Sequence, residues 1–270
     1  MTPTEPQTPE QRFAERFATW EQLHNTQGPG RSYPYAWRLP ELARPLGRVA
    51  LQQAQHALAL DLYTLGRFKE ALEALPEAGD DQASNHLRHR LNLLLAHPEP
   101  NVMQVYDLSV TERDYCDYLL SHPLQDPGPS PVSNDETVPE ADRLWSTVLH
   151  AWSQAREGRD VALSASHQAL ASLRRLNPTL AVQAEAVFVE TIYWLGPRWA
   201  PVWLDHALDL VDQYSQHHLK ARLMGLKARA LEAAGDLGEG ARFRKQAMAM
   251  AERQGARLYL DLFIQEISHL

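Results

Sequence analysis

Hydrophobic residues recur at helical spacing along most of the 270-residue chain. Spacings of three and four, which place side chains on one helix face, connect Phe13, Phe17, Trp20 and Leu23. The same pattern predicts helices over residues 46–65, 67–75 and 81–97 and a nearly continuous series after residue 140. Residues 186–195 come nearest to a strand pattern, but good helix formers and no hairpin turn flank them, so we expect a buried helix there. The pattern predicts an all-α fold.

Proline and polar residues divide the helical pattern. Five prolines within residues 122–139 predict a long loop, which is the best candidate for a boundary. We therefore predict a disordered arm over residues 1–8, an N-terminal helical part over 9–121 and a C-terminal helical part over 140–270. Within the first part, Thr111 is expected to cap a helix that runs to about Ser121.

Four segments repeat one pattern: an apolar helix, a glycine, and a second apolar helix. They occupy residues 57–72, 149–163, 187–204 and 226–241, with turn glycines Gly66, Gly158, Gly196 and Gly235. The last three glycines are 38 and 39 residues apart. A sharp reversal between antiparallel helices favours a left-handed residue, which glycine adopts without a Cβ penalty. Such hairpins bury their apolar faces by stacking on one another.

The turn Leu65-Gly66-Arg67-Phe68-Lys69-Glu70-Ala71-Leu72, with Ala59 before it, resembles the tetratricopeptide repeat. The resemblance implies a right-handed α-α superhelix of helical hairpins that binds a protein or peptide in its concave groove. Pro197, Pro201 and Gly240 depart from the family pattern, and Gln53 and His56 do not match the family's carboxylate clamp. The long spacing is closer to the sensor repeats of bacterial transcription regulators, which implies a regulatory role.

Alignment on the turn glycines, as the resemblance implies, places ten candidate partner-binding residues on the groove-lining helices. They are Gln53, His56, Tyr63, Trp145, Trp152, Arg156, Glu190, Tyr193, Arg222 and Arg229. Aromatic side chains and arginine are enriched at interface hot spots. We therefore expect a partner with apolar and acidic character. Packing of Trp145 and Trp152 in the hydrophobic core is the alternative.

Charge is unevenly distributed along a chain whose net charge is −8. Residues 107–142 carry nine acidic residues and one basic residue, whereas residues 218–257 carry nine basic and four acidic ones. Two solvated faces explain this distribution. The alternative is a basic surface that recognises an acidic partner or the chain's own acidic middle, in which residues 101–137 form an inserted loop that folds over the groove. The overall charge disfavours a general nucleic-acid binder. The alternative function is nevertheless nucleic-acid binding through Lys220, Arg222, Lys227, Arg229, Arg242, Arg244 and Lys245.

Motifs for catalysis are missing from the sequence: we find no phosphate-binding glycine loop, no nucleophile elbow and no His-Glu-x-x-His pair. Glu21–His24 and Glu266–His269 have the spacing of metal ligands on a helix, but two such pairs are compatible with chance in a chain of this composition. The single cysteine, Cys116, lies among acidic residues and is expected to be buried or inert. We predict a non-enzymatic protein without cofactor or metal. One thiol and no export signal predict a cytoplasmic location without membrane contact, and the oligomeric state stays open.

Overall fold

A computed structural model describes residues 7–77, 81–96, 115–116, 118–119 and 138–268. In these residues the regular secondary structure is helical and contains no strand, which confirms the all-α prediction. The predicted arm over residues 1–8 and the predicted loop over 122–139 lie almost wholly outside them. Of the helix predicted over 111–121, only Tyr115, Cys116, Tyr118 and Leu119 are described, and all four are helical.

Four of the six described N-terminal helices follow the predicted pattern. The six are α1 (Pro9–Gln27), α2 (Pro29–Ala36), α3 (Leu39–Ala43), α4 (Arg48–Thr64), α5 (Phe68–Ala74) and α6 (Gln82–Leu95). The short helices α2 and α3 are not predicted, because the sequence between α1 and α4 carries no clear helical periodicity, yet α2 forms and starts with Pro29. Proline at a helix start loses no hydrogen bond, since the first N–H groups have no partner within the helix.

The C-terminal helices form three consecutive pairs and a terminal helix. They are α7 (Glu140–Arg156), α8 (Leu163–Leu176), α9 (Pro178–Leu195), α10 (Ala200–Gln213), α11 (Lys220–Ala233), α12 (Leu237–Gln254) and α13 (Arg257–Ser268). The members of each pair, α7 with α8, α9 with α10 and α11 with α12, pack against one another. The buried helix expected over residues 186–195 is confirmed as the second half of α9.

The turn glycines behave as predicted at three of the four positions. Gly66, Gly158 and Gly235 have φ angles of 76°, 75° and 93°, in the left-handed region. Gly196 has φ −169°, so the prediction of a left-handed residue is wrong there. Its neighbour Pro197 explains the difference, because a residue before proline is pushed towards extended backbone. A short 3-10 helix, Pro197–Trp199, then makes the reversal into α10.

The first hairpin packs beside the last one. Leu62 of α4 and Phe68 of α5 share a hydrophobic cluster with Ala221 of α11, Ala251 of α12 and Phe263 of α13. On the other side, α7 packs against α9, and α1 also contacts α9. The order of the hairpins in space therefore differs from their order in the sequence. The helices before and after the predicted boundary share one core.

A buried carboxylate joins the N-terminal helices. Asp61 on α4 accepts hydrogen bonds from Trp20 Nε1 at 3.1 Å and from Ser32 Oγ at 2.9 and 2.8 Å, and His24 Nδ1 lies 2.6 Å away. Asp61 is fully buried, and buried charged groups need such partners. His24, one of the spaced metal-ligand candidates, therefore serves as a partner of Asp61 in this structure.

Candidate functional site

Three residues that sequence analysis did not select lie at the centre of the candidate site. Tyr115, Tyr118 and Leu119 have exposed fractions of 1%, 0% and 1%. They belong to a hydrophobic cluster that also contains Trp145 and Trp152 of α7. Their spacing of three and four residues places all three on one side of a helical turn.

Aromatic rings surround the two tyrosines. The ring of Tyr115 lies 5.5 Å from that of Trp145, and the ring of Tyr118 meets that of Trp152 edge-on at 5.2 Å between centroids. The hydroxyl of Tyr115 lies 3.3 Å from the hydroxyl of Tyr63 on α4. Tilted and edge-to-face pairs at these distances are favourable beyond the apolar area that they bury.

Two arginines bind the same segment. The Arg90 guanidinium on α6 lies over the ring of Tyr115, with Cζ 4.5 Å from the centroid, and Arg222 on α11 lies over Tyr118 at 4.0 Å. Arg222 also donates to the backbone carbonyl of Leu119 at 3.4 Å. Cations over aromatic faces contribute about 0.5–2 kcal/mol each. We call Tyr63, Arg90, Trp145, Trp152, Glu190 and Arg222 together the aromatic–arginine face.

A buried ion pair fixes the arginine at the centre of this face. Arg222 donates through Nε and Nη2 to the two carboxylate oxygens of Glu190, each at 2.9 Å. Trp152 Nε1 donates to the same carboxylate at 3.2 Å. Burial raises the pKa of Glu190, but the charge of Arg222 and these hydrogen bonds outweigh it, so that the pKa lies below its usual value. Glu190 is therefore a carboxylate at neutral pH.

The ten sequence candidates divide into a buried set, a half-buried set and one exposed residue. Tyr63, Trp145, Trp152 and Glu190 are 1%, 5%, 2% and 4% exposed, and the Arg222 side chain is 10% exposed. Trp145 and Trp152 lie in the core cluster, as the core-packing alternative predicts. Trp152 is thus not presented on an open groove, because Tyr118 covers it. Gln53 is exposed, and His56, Arg156, Tyr193 and Arg229 are half-buried.

The half-buried candidates do not all lie together. His56 Nδ1 lies 3.1 Å from Ser84 Oγ, near α6. Arg156 lies between two indoles, with Cζ 5.2 Å from the centroid of Trp152 and 5.4 Å from that of Trp194. Tyr193 meets Trp194 edge-on at 5.3 Å. Arg156, Tyr193 and Trp194 form one edge of the aromatic–arginine face.

A small cavity lies beside this edge. Its lining includes Glu190, Trp194, Arg222, Arg229 and Tyr259. Trp194 Nε1 is buried and has no hydrogen-bond partner among the described residues. Burial raises the pKa of the Tyr259 phenol, so that it stays protonated beside Arg222. The cavity is therefore lined by the Glu190–Arg222 ion pair, a second arginine and a protonated phenol.

Ion pairs occupy most of the basic residues proposed for nucleic-acid binding. Lys220 pairs with Asp212 at 2.5 Å, Arg222 with Glu190 at 2.9 Å, and Lys227 with Asp205. Arg242 and Arg244 pair with Glu239 and Glu232. At least five of the seven candidates thus have a carboxylate partner already, which leaves less positive charge for phosphates.

The three central residues that the repeat alignment did not select have only a weak signal in the sequence. Tyr115, Tyr118 and Leu119 have helical spacing in a short segment, and the tyrosines pair with residues that are distant in sequence.

Cys116 is 4% exposed, in agreement with the expectation of a buried cysteine. Within the described ranges, no three histidine, cysteine, aspartate or glutamate residues cluster as metal ligands, and no helix there has the length and hydrophobicity of a membrane span.

Comparison of the chain with protein-family models, with curated proteins and with solved structures found no match.

Proposed function

We propose that this protein is a non-enzymatic helical scaffold that binds an acidic, aromatic segment of a partner protein on the aromatic–arginine face. One observation carries the proposal: this face already holds a short helical segment through Tyr115, Tyr118 and Leu119. The contacts are ring pairs, cation–π contacts and one hydrogen bond to a backbone carbonyl. A helical segment of another protein can make contacts of the same kind.

The composition of the face supports binding of a protein segment. Tryptophan, tyrosine and arginine are the residue types that dominate interface hot spots. Here they come from four helices, with Tyr63 on α4, Trp152 on α7, Glu190 on α9 and Arg222 on α11. Because these helices belong to all four hairpins, the hairpins together provide one site. This use of every hairpin supports the tetratricopeptide-like interpretation, which we keep as part of the proposal together with a regulatory role in the cytoplasm.

Charge at the edge of the face favours an acidic partner. Arg156 and Arg229 are half-buried beside Trp194 and the Glu190–Arg222 pair. Partly desolvated guanidinium groups bind carboxylates with two parallel hydrogen bonds. An acidic side chain of the partner would bind beside these arginines and next to the aromatic rings, in addition to the contacts that both arginines make within the chain.

A displayed library of random dodecapeptides, selected on the immobilised full-length protein, tests this function. We expect enrichment of peptides that combine aromatic and acidic residues. Replacing Arg156 and Arg229 by glutamate should weaken the selected peptides at least about tenfold. The matched control replaces Arg198 and Arg253, two exposed arginines elsewhere, by glutamate and should leave binding unchanged. Melting temperatures of both variants show whether they fold.

The same experiment separates the two candidate functions. If no peptide is enriched, or if both double variants weaken binding equally, the proposed site is wrong. Labelled single-stranded and double-stranded DNA and RNA are titrated in parallel. Tight binding of a nucleic acid that weakens steeply with salt supports the alternative through Lys245, Arg229 and the neighbouring basic residues.

A further inference from the structure

We infer that Tyr115, Tyr118 and Leu119 act as an internal ligand, with which the partner segment competes for the aromatic–arginine face. This inference rests on the proposed function and adds the chemistry of the partner to it. The partner segment carries an aromatic residue, a second aromatic residue three positions later and a leucine at the next position, on one turn of helix. Acidic residues flank the aromatic ones.

The contacts of the internal segment define the positions of this motif. Tyr115 contacts Tyr63, Arg90 and Trp145, on α4, α6 and α7. Tyr118 contacts Trp152 and Arg222, on α7 and α11. The two tyrosines therefore occupy different parts of the face, and a ligand needs both rings at this spacing to fill it.

The third position of the motif is defined by packing and by a backbone contact. Leu119 is 1% exposed within the cluster of α7, α8 and α9 side chains. Its carbonyl oxygen accepts a hydrogen bond from Arg222 at 3.4 Å. A carbonyl is present in every peptide, so this contact positions the segment but does not depend on its sequence. Sequence specificity comes from the leucine side chain and the two rings.

The acidic flanks of the motif are taken from the sequence of the internal segment. Each tyrosine of the internal segment follows an aspartate in the sequence, in the run Asp114-Tyr115-Cys116-Asp117-Tyr118-Leu119. The receiving surface contains Arg90 and Arg222 and has Arg156 and Arg229 at its edge. A partner with the same alternation of acidic and aromatic residues matches both the rings and the charge.

Covalent connection makes the internal segment a strong competitor. A ligand that belongs to the same chain acts at an effective concentration that can reach the order of millimolar. The affinity of a free segment falls in proportion to the fraction of molecules whose face is open. Weakening the internal segment should therefore strengthen binding of a peptide in trans.

The test uses a fluorescein-labelled peptide with the sequence of residues 111–122, TERDYCDYLLSH, in which Cys116→Ser prevents disulfide formation. It is titrated into the full-length protein and two variants by fluorescence anisotropy. Tyr118→Ala removes the ring from the internal segment, and we expect peptide binding at least about tenfold tighter than to the wild-type protein. Tyr118→Phe keeps the ring and should bind the peptide as weakly as the wild type. Equal affinities for all three proteins would overturn the inference.

A second measurement covers the case in which Tyr118→Ala fails to fold. Protease sites introduced at residues 100 and 128 allow cleavage on both sides of the otherwise unchanged internal segment. After cleavage, the labelled peptide should exchange with that segment, whereas a peptide with both tyrosines replaced by alanine should not. No exchange, or equal exchange of both peptides, contradicts the inference.

The outcomes for the inference and for the proposed function are distinguishable. Library peptides that bind wild type and Tyr118→Ala equally overturn the competition, but they leave a peptide-binding function in place. If the library yields no enriched peptide, the proposed peptide-binding function is wrong. The titration with the 111–122 peptide still measures whether the aromatic–arginine face binds this segment as a separate molecule. Light scattering adds one further outcome: a dimer that exchanges residues 115–119 between two copies replaces the partner protein with a second copy, and overturns the inference.

Discussion

The guanidinium of Arg222 lies over the ring of Tyr118, with its Cζ 4.0 Å from the ring centroid. The same group donates two hydrogen bonds to Glu190, each 2.9 Å long. The fixed arginine therefore presents a cationic surface to an aromatic ring without having to be ordered when the ring binds. Preorganisation of this kind reduces the entropic cost of binding, and it makes the aromatic–arginine face suitable for a helical segment.

The Glu190–Arg222 pair should be sensitive to loss of one partner. Replacing Glu190 by Gln leaves a buried guanidinium without its counter-charge, and we expect a loss of about 3–5 kcal/mol in the free energy of unfolding. Glu239→Gln is the matched control, because Glu239 pairs with Arg242 on the surface, where side chains are 46% and 57% exposed. The control should cost at most about 1 kcal/mol. Urea unfolding measures both, and equal losses would show that the buried pair has no special role.

Asp61 should be the most sensitive acidic residue of the N-terminal helices. Asp61→Asn removes the charge that accepts hydrogen bonds from Trp20 and Ser32 and lies beside His24, and it places an amide donor among donors. Each hydrogen bond to a charged group contributes about 1.5–3 kcal/mol, so we expect a loss of at least about 2 kcal/mol. Asp160→Asn changes an exposed aspartate and should leave the urea midpoint unchanged. A midpoint shift of the same size in both variants would contradict the role of Asp61.

Two helical glycines should respond in opposite directions to alanine. A Cβ on Gly225 of α11 lies 2.3 Å from Phe263 Cε1, so Gly225→Ala requires the buried ring of Phe263 to shift and lowers the melting temperature. Gly238, in the first turn of α12, has only Asp236 Oδ1 near its Cβ position, at 3.9 Å. Gly238→Ala should therefore stabilise the protein by up to about 1 kcal/mol, since alanine is the better helix former. A stabilising effect at Gly225 would show that Phe263 does not pack there.

His218 should make stability depend on pH. Burial lowers its pKa to about 3, and its Nδ1 lies 3.3 Å from the carbonyl oxygen of Thr64, to which a neutral imidazole donates. Because the unfolded chain takes up a proton near pH 6.5, as unperturbed histidine does, the unfolded state binds more protons between pH 6.5 and about 3. The contribution of His218 to stability is therefore lost as the pH falls through this window, by about 1.4 kcal/mol per unit.

The pH effect is checked by comparing wild type with His218→Gln in urea unfolding between pH 4.5 and 7. The variant keeps a side-chain donor, but its free energy of unfolding should lack the part of the pH dependence that His218 causes. His206→Gln alters an exposed histidine and should retain it. Parallel curves for wild type and His218→Gln would show that His218 is not buried as a neutral side chain.

Local patterns predicted most of the helices and their turns. They failed where an adjacent residue changes the backbone conformation or where a residue distant in sequence determines burial. The glycine pattern identified left-handed turns at Gly66, Gly158 and Gly235, but the proline after Gly196 changes the backbone there. The periodicity of α7 could not separate a groove position from a core position, because both recur on one helix face. What buries Trp152 is Tyr118, and that contact depends on tertiary packing.

The spatial arrangement was also beyond sequence patterns. Repeats predict that neighbouring hairpins stack, yet the first hairpin packs beside the last one. The hydroxyl contact between Tyr63 and Tyr115 joins residues 52 positions apart. No local spacing encodes such a pair, although the helical spacing of Tyr115, Tyr118 and Leu119 shows that the segment has one apolar side.

Photocrosslinking of a library-selected peptide tests the central claim, the location of the binding site, most directly. A photoreactive p-benzoylphenylalanine is placed at Tyr193, a half-buried aromatic position at the edge of the aromatic–arginine face, or at Val202 of α10, which is 77% exposed. We predict that the peptide crosslinks to position 193 and not to position 202, and that excess 111–122 peptide prevents the crosslink. Crosslinking at position 202 alone, or at both positions equally, would contradict it.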